Sequence, residues 1–189
     1  MKITLKMLSK YETPCKDGIK WFEAQESQEL TDLVKNAIKE GMEQMRYCNW
    51  GIARCMTKIQ AVRYACYAAR QILYIYEDES PNDYRPRRAI EAAESYAKNP
   101  TEENRNAAYT AADAAYAAYT ADATYATKSA ADAANAAADA AYYAAHATNS
   151  AKAACYASNT ASFTPTGSNP KRLMAKILRY GVKLLMEGK

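Results

Sequence analysis

The chain has 189 residues and a formal net charge of +4, which is too small and too local a charge to predict nucleic-acid binding. Ala supplies much of its apolar fraction of 49%, and Tyr outnumbers Phe by 16 to 2. All Gly and Pro residues lie outside residues 101–164, which favours helices and excludes a sheet or a disordered segment there. No stretch is both long and apolar enough to span a bilayer, so a membrane is not an expected partner. Because the net charge is small, nucleic acid is not an expected partner either.

The residues that could hold a metal are few and scattered. Five cysteines form no CxxC pair: Cys15, Cys48, Cys55, Cys66 and Cys155. The single histidine is His146, so a zinc site lacks ligands at usable spacing, and we expect neither a metal nor a cofactor. An odd cysteine count and an N-terminus without an apolar signal segment favour the reducing cytoplasm.

Residues 1–41 are predicted to form an N-terminal cap. The stretch 13–18 contains Pro and Gly and is typical of a turn. Trp21 follows as part of a hydrophobic anchor, and residues 27–39 carry apolar side chains at helical spacing. Gly41 is expected to end that helix.

Residues 42–163 are predicted to form the helical body. Within it, residues 43–76 carry apolar side chains at steps of three and four, which predicts one or two helices with Gly51 as the weak point. The other faces of this segment carry cations and tyrosines: Arg54, Lys58, Arg63, Tyr64, Tyr67, Arg70 and Tyr74. Two interpretations stay open, a solvated basic face or a basic, aromatic surface for an anionic planar ligand.

The Ala-rich part of the body predicts two helices packed against each other. One helix over residues 103–158 would be roughly 80 Å long and would leave its Ala face exposed, so we expect an antiparallel pair that turns near residues 127–129. The predicted packing face of the first helix is Ala107, Ala111, Ala114, Ala115 and Ala118. That of the second is Ala134, Ala137, Ala138, Ala141 and Ala145, with a polar stripe opposite that includes Asp139. A third short helix is expected after Ser150.

The predicted fold class is therefore all-α, as an antiparallel helical bundle or stacked helical hairpins with closely packed Ala-rich helices. Residues 164–170 are rich in Pro, Gly and Ser and are predicted to be a linker. Residues 171–189 then form a basic amphipathic helix, expected to dock on the body of its own chain, with an anionic membrane surface as the alternative.

The sequence offers no group arranged for catalysis. A Ser or Cys nucleophile usually needs a base, and His146 lies on the predicted polar face of an Ala-rich helix. Carboxylates at helical spacing, such as Glu91 and Glu94, are typical of surface charges, and no two glycines are close enough to cradle a phosphate. We therefore expect a protein without enzymatic activity and without catalytic residues.

An arginine cluster is the best candidate for binding. Arg85, Arg87 and Arg88 stand at a predicted helix start at Pro86, where guanidinium groups, the helix dipole and free backbone N–H groups favour an anion. Tyr84 adjoins them and could stack on a planar ring.

In the alternative interpretation, nearby carboxylates neutralise this cluster: Glu79, Asp83, Glu91 and Glu94. The full set of predicted ligand-binding residues is Arg63, Tyr67, Arg70, Tyr84, Arg85, Arg87 and Arg88.

The stretch PNDYRPRRAIEAAE, residues 81–94, followed by Ala-rich helices, resembles a family of immunity proteins attached to bacterial toxin systems. The chain resembles still more a group of Ala/Tyr-rich proteins from tailed phages. That second resemblance rests on the Cys-x-x-Gly-x-x-Trp-Phe pattern of residues 15–22, the helix over residues 56–67 and the ending over residues 174–181. The Asp-x-Arg-Pro-Arg motif of residues 83–87 is the most specific element.

This resemblance implies a small accessory protein, phage-encoded and present in the host cytoplasm, that acts by binding in counter-defence. The first expected function is sequestration of a small anionic, nucleotide-type immune signal in an Arg/Tyr-lined pocket of a homo-oligomer. The alternative is an immunity or inhibitor protein that neutralises a toxin or defence effector by direct protein–protein binding. The second alternative is an enzyme that cleaves such a signal.

Overall fold

A computed structural model describes residues 1–9, 13–122, 128–146 and 169–187. Their regular structure is helical apart from one isolated bridge between Lys2 and Glu29, which confirms the all-α class. The helices are α1 Leu5–Leu8, α2 Lys16–Glu23, α3 Leu30–Glu40, α4 Met42–Cys55, α5 Lys58–Arg70, α6 Leu73–Glu79, α7 Arg85–Lys98, α8 Glu102–Asp122, α9 Lys128–Ala145 and α10 Pro170–Glu187. The predicted helix after Ser150 and most of the predicted linker lie outside the described residues.

Local sequence signals set the helix boundaries in the first half of the chain. Gly41 has a φ of 144° and ends α3, as predicted. Helix α4 continues through Gly51, so the prediction of a weak point there is wrong. This part of the chain forms three helices, α4, α5 and α6, rather than the one or two predicted. The first break comes at Thr57, whose hydroxyl accepts from the Gln60 backbone N–H while the Gln60 side chain accepts from the Thr57 N–H. This capping box satisfies two donors at the start of α5 and fixes the boundary.

Helix α9 lies at the centre of the bundle and packs against α5, α6, α7 and α8. Its alanines are buried all round the helix: Ala130, Ala131, Ala133, Ala134, Ala136, Ala137, Ala138, Ala140, Ala141, Ala144 and Ala145. The predicted packing face of this helix is therefore buried, but the prediction that only one face packs is wrong. Side chains this small let four neighbouring helices approach it from different directions.

Helix α8 runs antiparallel to α9, as predicted. Tyr116 of α8 contacts Asp139 of α9. Tyr109, seven positions before Tyr116, contacts His146, seven positions after Asp139. The buried alanines of α8 are Ala108, Ala112, Ala115 and Ala118, whereas the predicted Ala107 is exposed. The buried face is rotated from the predicted one because α8 packs on α7 as well as on α9.

Helix α10 docks on α3, α4 and α5 of its own chain, as expected. The buried side of α10 consists of Met174, Ala175, Ile177, Leu178, Gly181, Leu184 and Leu185. At Gly181 the approach is very close, since an added Cβ would lie 2.7 Å from Ile52 Cγ2 and 2.8 Å from Tyr64 Cε2. Among the described residues, no helix combines the length and the apolar character needed to cross a membrane.

Candidate functional site

The arginines at the start of α7 are engaged by carboxylates of the protein itself. Arg85 donates from Nε to Asp83 at 2.9 Å, and this pairing lowers the pKa of Asp83 to about 2. Arg87 donates from Nε and Nη2 to the two carboxylate oxygens of Glu77, both at 2.7 Å. The structure thus places two of the predicted anion-binding arginines in ion pairs, with Glu77 as a partner that the sequence did not indicate.

The other two residues predicted at this helix start are exposed. Tyr84 lies at the N-terminal cap of α7 and is 50% exposed. Arg88 is exposed as well, and the described residues provide it with no ion pair within 4 Å. These two side chains therefore lie on the exposed surface at the start of α7.

The three predicted residues of α5 line a common groove. Arg63, Tyr67 and Arg70 follow one another at steps of four and three, which places them on one side of the helix. This groove, here called the α5 groove, has a volume of about 560 Å³. It is lined by Ile59, Arg63, Cys66, Tyr67 and Arg70 of α5, by Glu94, Ala97 and Lys98 of α7, and by Tyr180 of α10.

The two arginines of the α5 groove are held differently. Arg70 donates from Nε and Nη2 to the two oxygens of Glu94 at 2.6 and 2.7 Å, and this hydrogen bonding raises the pKa of Arg70. Within the described ranges, Arg63 forms an ion pair from Nη1 to Oε2 of Glu187 at 3.0 Å, and these side chains are 41% and 38% exposed. The bidentate geometry fixes Arg70, whereas an exposed single contact is screened by water and exchangeable.

Two tyrosines form the aromatic part of the α5 groove. The rings of Tyr67 and Tyr180 are stacked, with centroids 3.9 Å apart and planes inclined by 18°. Burial, and after it the neighbouring Tyr180, raises the pKa of Tyr67, so its hydroxyl stays neutral at physiological pH. The groove therefore combines a neutral aromatic stack with guanidinium groups and an ammonium group.

Sequence reasoning missed the contributions of α7 and α10 to this groove, namely Glu94, Lys98 and Tyr180. Tyr180 lies between the buried and the basic sides of α10, a position that marks a residue at the edge of a contact. What the pattern lacks is the identity of the helix on which α10 docks. That depends on tertiary packing across a long sequence separation.

The groove contains few groups suited to catalysis. Cys66 is 2% exposed, and desolvation raises the pKa of its thiol far above the ordinary range. Both oxygens of Glu94 bind Arg70. Elsewhere in the described part of the chain, no three His, Cys, Asp or Glu side chains are grouped so as to hold a metal ion.

A family model described as a family of unknown function, DUF6931, matches residues 43–185. The lining of the α5 groove, from Ile59 to Tyr180, lies within that range. No curated protein and no solved structure matches the chain.

Proposed function

We propose that this chain, which belongs to DUF6931, a family whose function is unknown, is a non-enzymatic protein. In this proposal it sequesters a small anionic ligand of nucleotide type in the α5 groove. The observation that supports this most is the meeting of Arg63, Tyr67 and Arg70 with Tyr180 in one groove. A volume of about 560 Å³ is in the range of small-molecule sites.

The aromatic stack supports the planar part of the ligand. Tyr67 is half-buried, as is Tyr180, so part of each ring stays accessible in the groove. A nucleobase extends such a stack with a gain of about 1–3 kcal/mol per base, and any base can do so because each has a π face. The proposal therefore concerns a class of ligands and not one base.

The cations of the groove support the anionic part of the ligand. Arg63 of α5 and Lys98 of α7 both line the groove, and Arg70 is oriented there by Glu94. A phosphate receives hydrogen bonds from guanidinium in a fork geometry, and these charge-assisted bonds are the stronger ones in proteins. Arg63 has to exchange its contact with Glu187 for one with the ligand.

The acidic side chains of the groove support the proposal that the bound ligand is not chemically converted. Glu94 is committed to Arg70, and Cys66 is a buried neutral thiol. A general base has to reach the proton it abstracts, and neither group is free to do so. A ligand bound here should therefore be recovered unchanged.

The resemblance to tailed-phage and immunity proteins supplies the biological setting of the proposal. We place the protein in the host cytoplasm as a counter-defence protein whose ligand is a nucleotide-type immune signal, bound by a homo-oligomer. Direct inhibition of a protein effector and cleavage of the signal are the competing functions, and the experiment below separates them.

The test uses ADP-ribose, which combines a planar base with a diphosphate, in isothermal titration calorimetry with the full chain. We expect binding to the native chain and a loss of about tenfold or more in Arg63→Ala. Arg179→Ala is the matched control, because Arg179 is an exposed arginine of α10 outside the groove. Native mass spectrometry then gives the number of subunits and of ligands together.

Three outcomes would count against sequestration. Degraded ADP-ribose after denaturation of the complex would indicate the enzyme. No binding across a panel of cyclic and linear nucleotides, with a protein effector retained by the chain, would indicate the inhibitor. Equal losses in Arg63→Ala and Arg179→Ala would remove the α5 groove as the site.

A further inference from the structure

A second pocket lies between α2 and α4, and it shares no lining residue with the α5 groove. This α2–α4 pocket has a volume of about 270 Å³. Its apolar lining includes the buried Phe22, Leu30, Leu33 and Ile52. The floor of the pocket is thus part of the hydrophobic core, where N-terminal residues meet α4.

Three aromatic residues stand around this floor, namely Trp21, Tyr47 and Trp50. Rings of Trp21 and Tyr47 lie 6.2 Å apart at an interplanar angle of 43°. Flat side chains in this number favour a flat guest, because aromatic rings gain most from stacked or edge-on contacts with another ring.

The polar atoms of Trp21 and Tyr47, two of these three aromatic residues, are already bonded to the protein. Trp21 Nε1 donates to Glu40 at 2.7 Å, and the Tyr47 hydroxyl donates to Glu43 at 2.7 Å. The second bond is the main cause that raises the pKa of Tyr47 to about 12, so the hydroxyl stays protonated. The Cys48 thiol donates to the Leu33 carbonyl oxygen at 3.5 Å. Arg46, the charged side chain of the lining, is exposed and is itself engaged within the protein. The lining therefore offers a charged guest few free partners in exchange for its hydration shell.

The volume sets the size of a guest. An apolar protein cavity of about 150 Å³ accommodates benzene, with its six carbon atoms. Scaled in proportion, a pocket of about 270 Å³ accommodates about eleven non-hydrogen atoms, and indole has nine. We propose that the α2–α4 pocket binds a small, uncharged, planar bicyclic molecule of indole size.

The place of this pocket relative to the family match separates it from the proposed nucleotide site. Helix α4 lies within residues 43–185 apart from its first residue, whereas α1, α2 and α3 lie before the matched range. The α5 groove is built wholly from matched residues, but the α2–α4 pocket needs both parts. Binding in the α2–α4 pocket thus depends on residues of this chain outside the matched range, and it goes beyond the proposed function.

Indole itself is the probe, titrated into the full chain by calorimetry and by thermal unfolding. Ile19→Trp fills the pocket from α2 with a bulky side chain and is expected to abolish indole binding. Ile38→Trp is the matched control, since Ile38 is also a half-buried isoleucine but lies on α3 outside the pocket. Cys15→Trp fills the same pocket from its exposed end if Ile19→Trp fails to fold.

Cys15 provides a second readout, because its thiol is exposed and lines the pocket. With indole at about ten times its Kd, modification of Cys15 by N-ethylmaleimide should slow by about tenfold, followed by peptide mass spectrometry. Because Arg46 of the lining is already engaged within the protein, indole-3-acetate, the anionic analogue, should bind at least about tenfold more weakly than indole.

Arg63→Ala should leave indole binding unchanged, because Arg63 does not line the α2–α4 pocket. Loss of the nucleotide site would therefore not affect the test of indole binding. The inference is overturned if the native chain does not bind indole, or if the pocket-filling variant binds it as well as Ile38→Trp does. It is equally overturned if indole leaves the modification rate of Cys15 unchanged at saturation.

Discussion

Tyr116 of α8 donates a hydrogen bond of 2.6 Å from its hydroxyl to the Asp139 carboxylate of α9, inside the Ala-rich pair. The two helices otherwise meet mainly through alanines, which carry no directional contacts. This charge-assisted bond, together with the ring contacts of Tyr116 with Tyr142 and of Tyr109 with His146, therefore gives the interface a specific register.

Removing the donor should destabilise the protein. In Tyr116→Phe, the half-buried Asp139 carboxylate loses its 2.6 Å contact, and we expect the free energy of unfolding to fall by about 1–3 kcal/mol. Chemical denaturation at pH 7 measures this change. Tyr109→Phe on the same helix is the control, since Tyr109 is 44% exposed; an equal loss in both variants would contradict the special role of the Tyr116 bond.

The same carboxylate should make stability depend on pH. Burial raises the pKa of Asp139, only partly offset by the bond from Tyr116, so the folded chain binds this proton more tightly than the unfolded chain. Stability is therefore lost as pH rises through the folded pKa and regained as pH falls toward the unfolded value near 3.8. Asp139→Asn should remove this component from unfolding curves recorded between about pH 4 and 7. An unchanged pH profile in Asp139→Asn would show that other carboxylates determine it.

Glycine at position 181 should be required by packing. Because a Cβ there would lie 2.7 Å from Ile52 Cγ2, Gly181→Ala forces α10 away from α4 and α5 and should cost about 1–3 kcal/mol. Gly51→Ala is the contrasting variant, since its Cβ would meet only the end of the Leu8 side chain at 3.2 Å and Ala favours the helix. Thermal unfolding of both variants should show a large loss of Tm for Gly181→Ala alone.

The exposed contact between Arg63 and Glu187 should act against anion binding. Glu187→Gln removes the carboxylate that lies 3.0 Å from Arg63, so affinity for ADP-ribose should rise by about threefold at low salt, with less effect at high salt. Calorimetry at two ionic strengths measures this. Glu103→Gln is the control for a general change of charge, since Glu103 is exposed on α8. An affinity that falls in Glu187→Gln would mean that Glu187 contacts the ligand or orients Arg63 productively.

The sequence predicted those parts of the fold that local signals determine. Gly41 ends α3, and Pro86 lies in the first turn of α7, as predicted. The buried faces of α8 and α9 were predicted only in part, because alanines lie on every side of these helices and leave little apolar contrast around their circumference. Only the contacts with α5, α6 and α7 show which sides are buried.

The candidate site was predictable in part for the same reason. Arg63, Tyr67 and Arg70 lie on one helix, so their common direction follows from helical geometry. Their neighbours come from α7 and from α10, whose docking position no local pattern encodes. At the start of α7 the sequence indicated three arginines but not the bidentate contact of Arg87 with Glu77.

The enclosure of α9 by four neighbouring helices limits the substitutions that this helix tolerates. Replacing a fully buried alanine such as Ala136 or Ala140 with Val or Leu would push at least one neighbour outward, whereas Gly would weaken the helix itself. Substitutions there are confined to the smallest side chains, while the exposed positions of α8 accept polar variety. The monotony of this segment is thus a geometric requirement, and random mutagenesis should find it among the least tolerant parts of the protein.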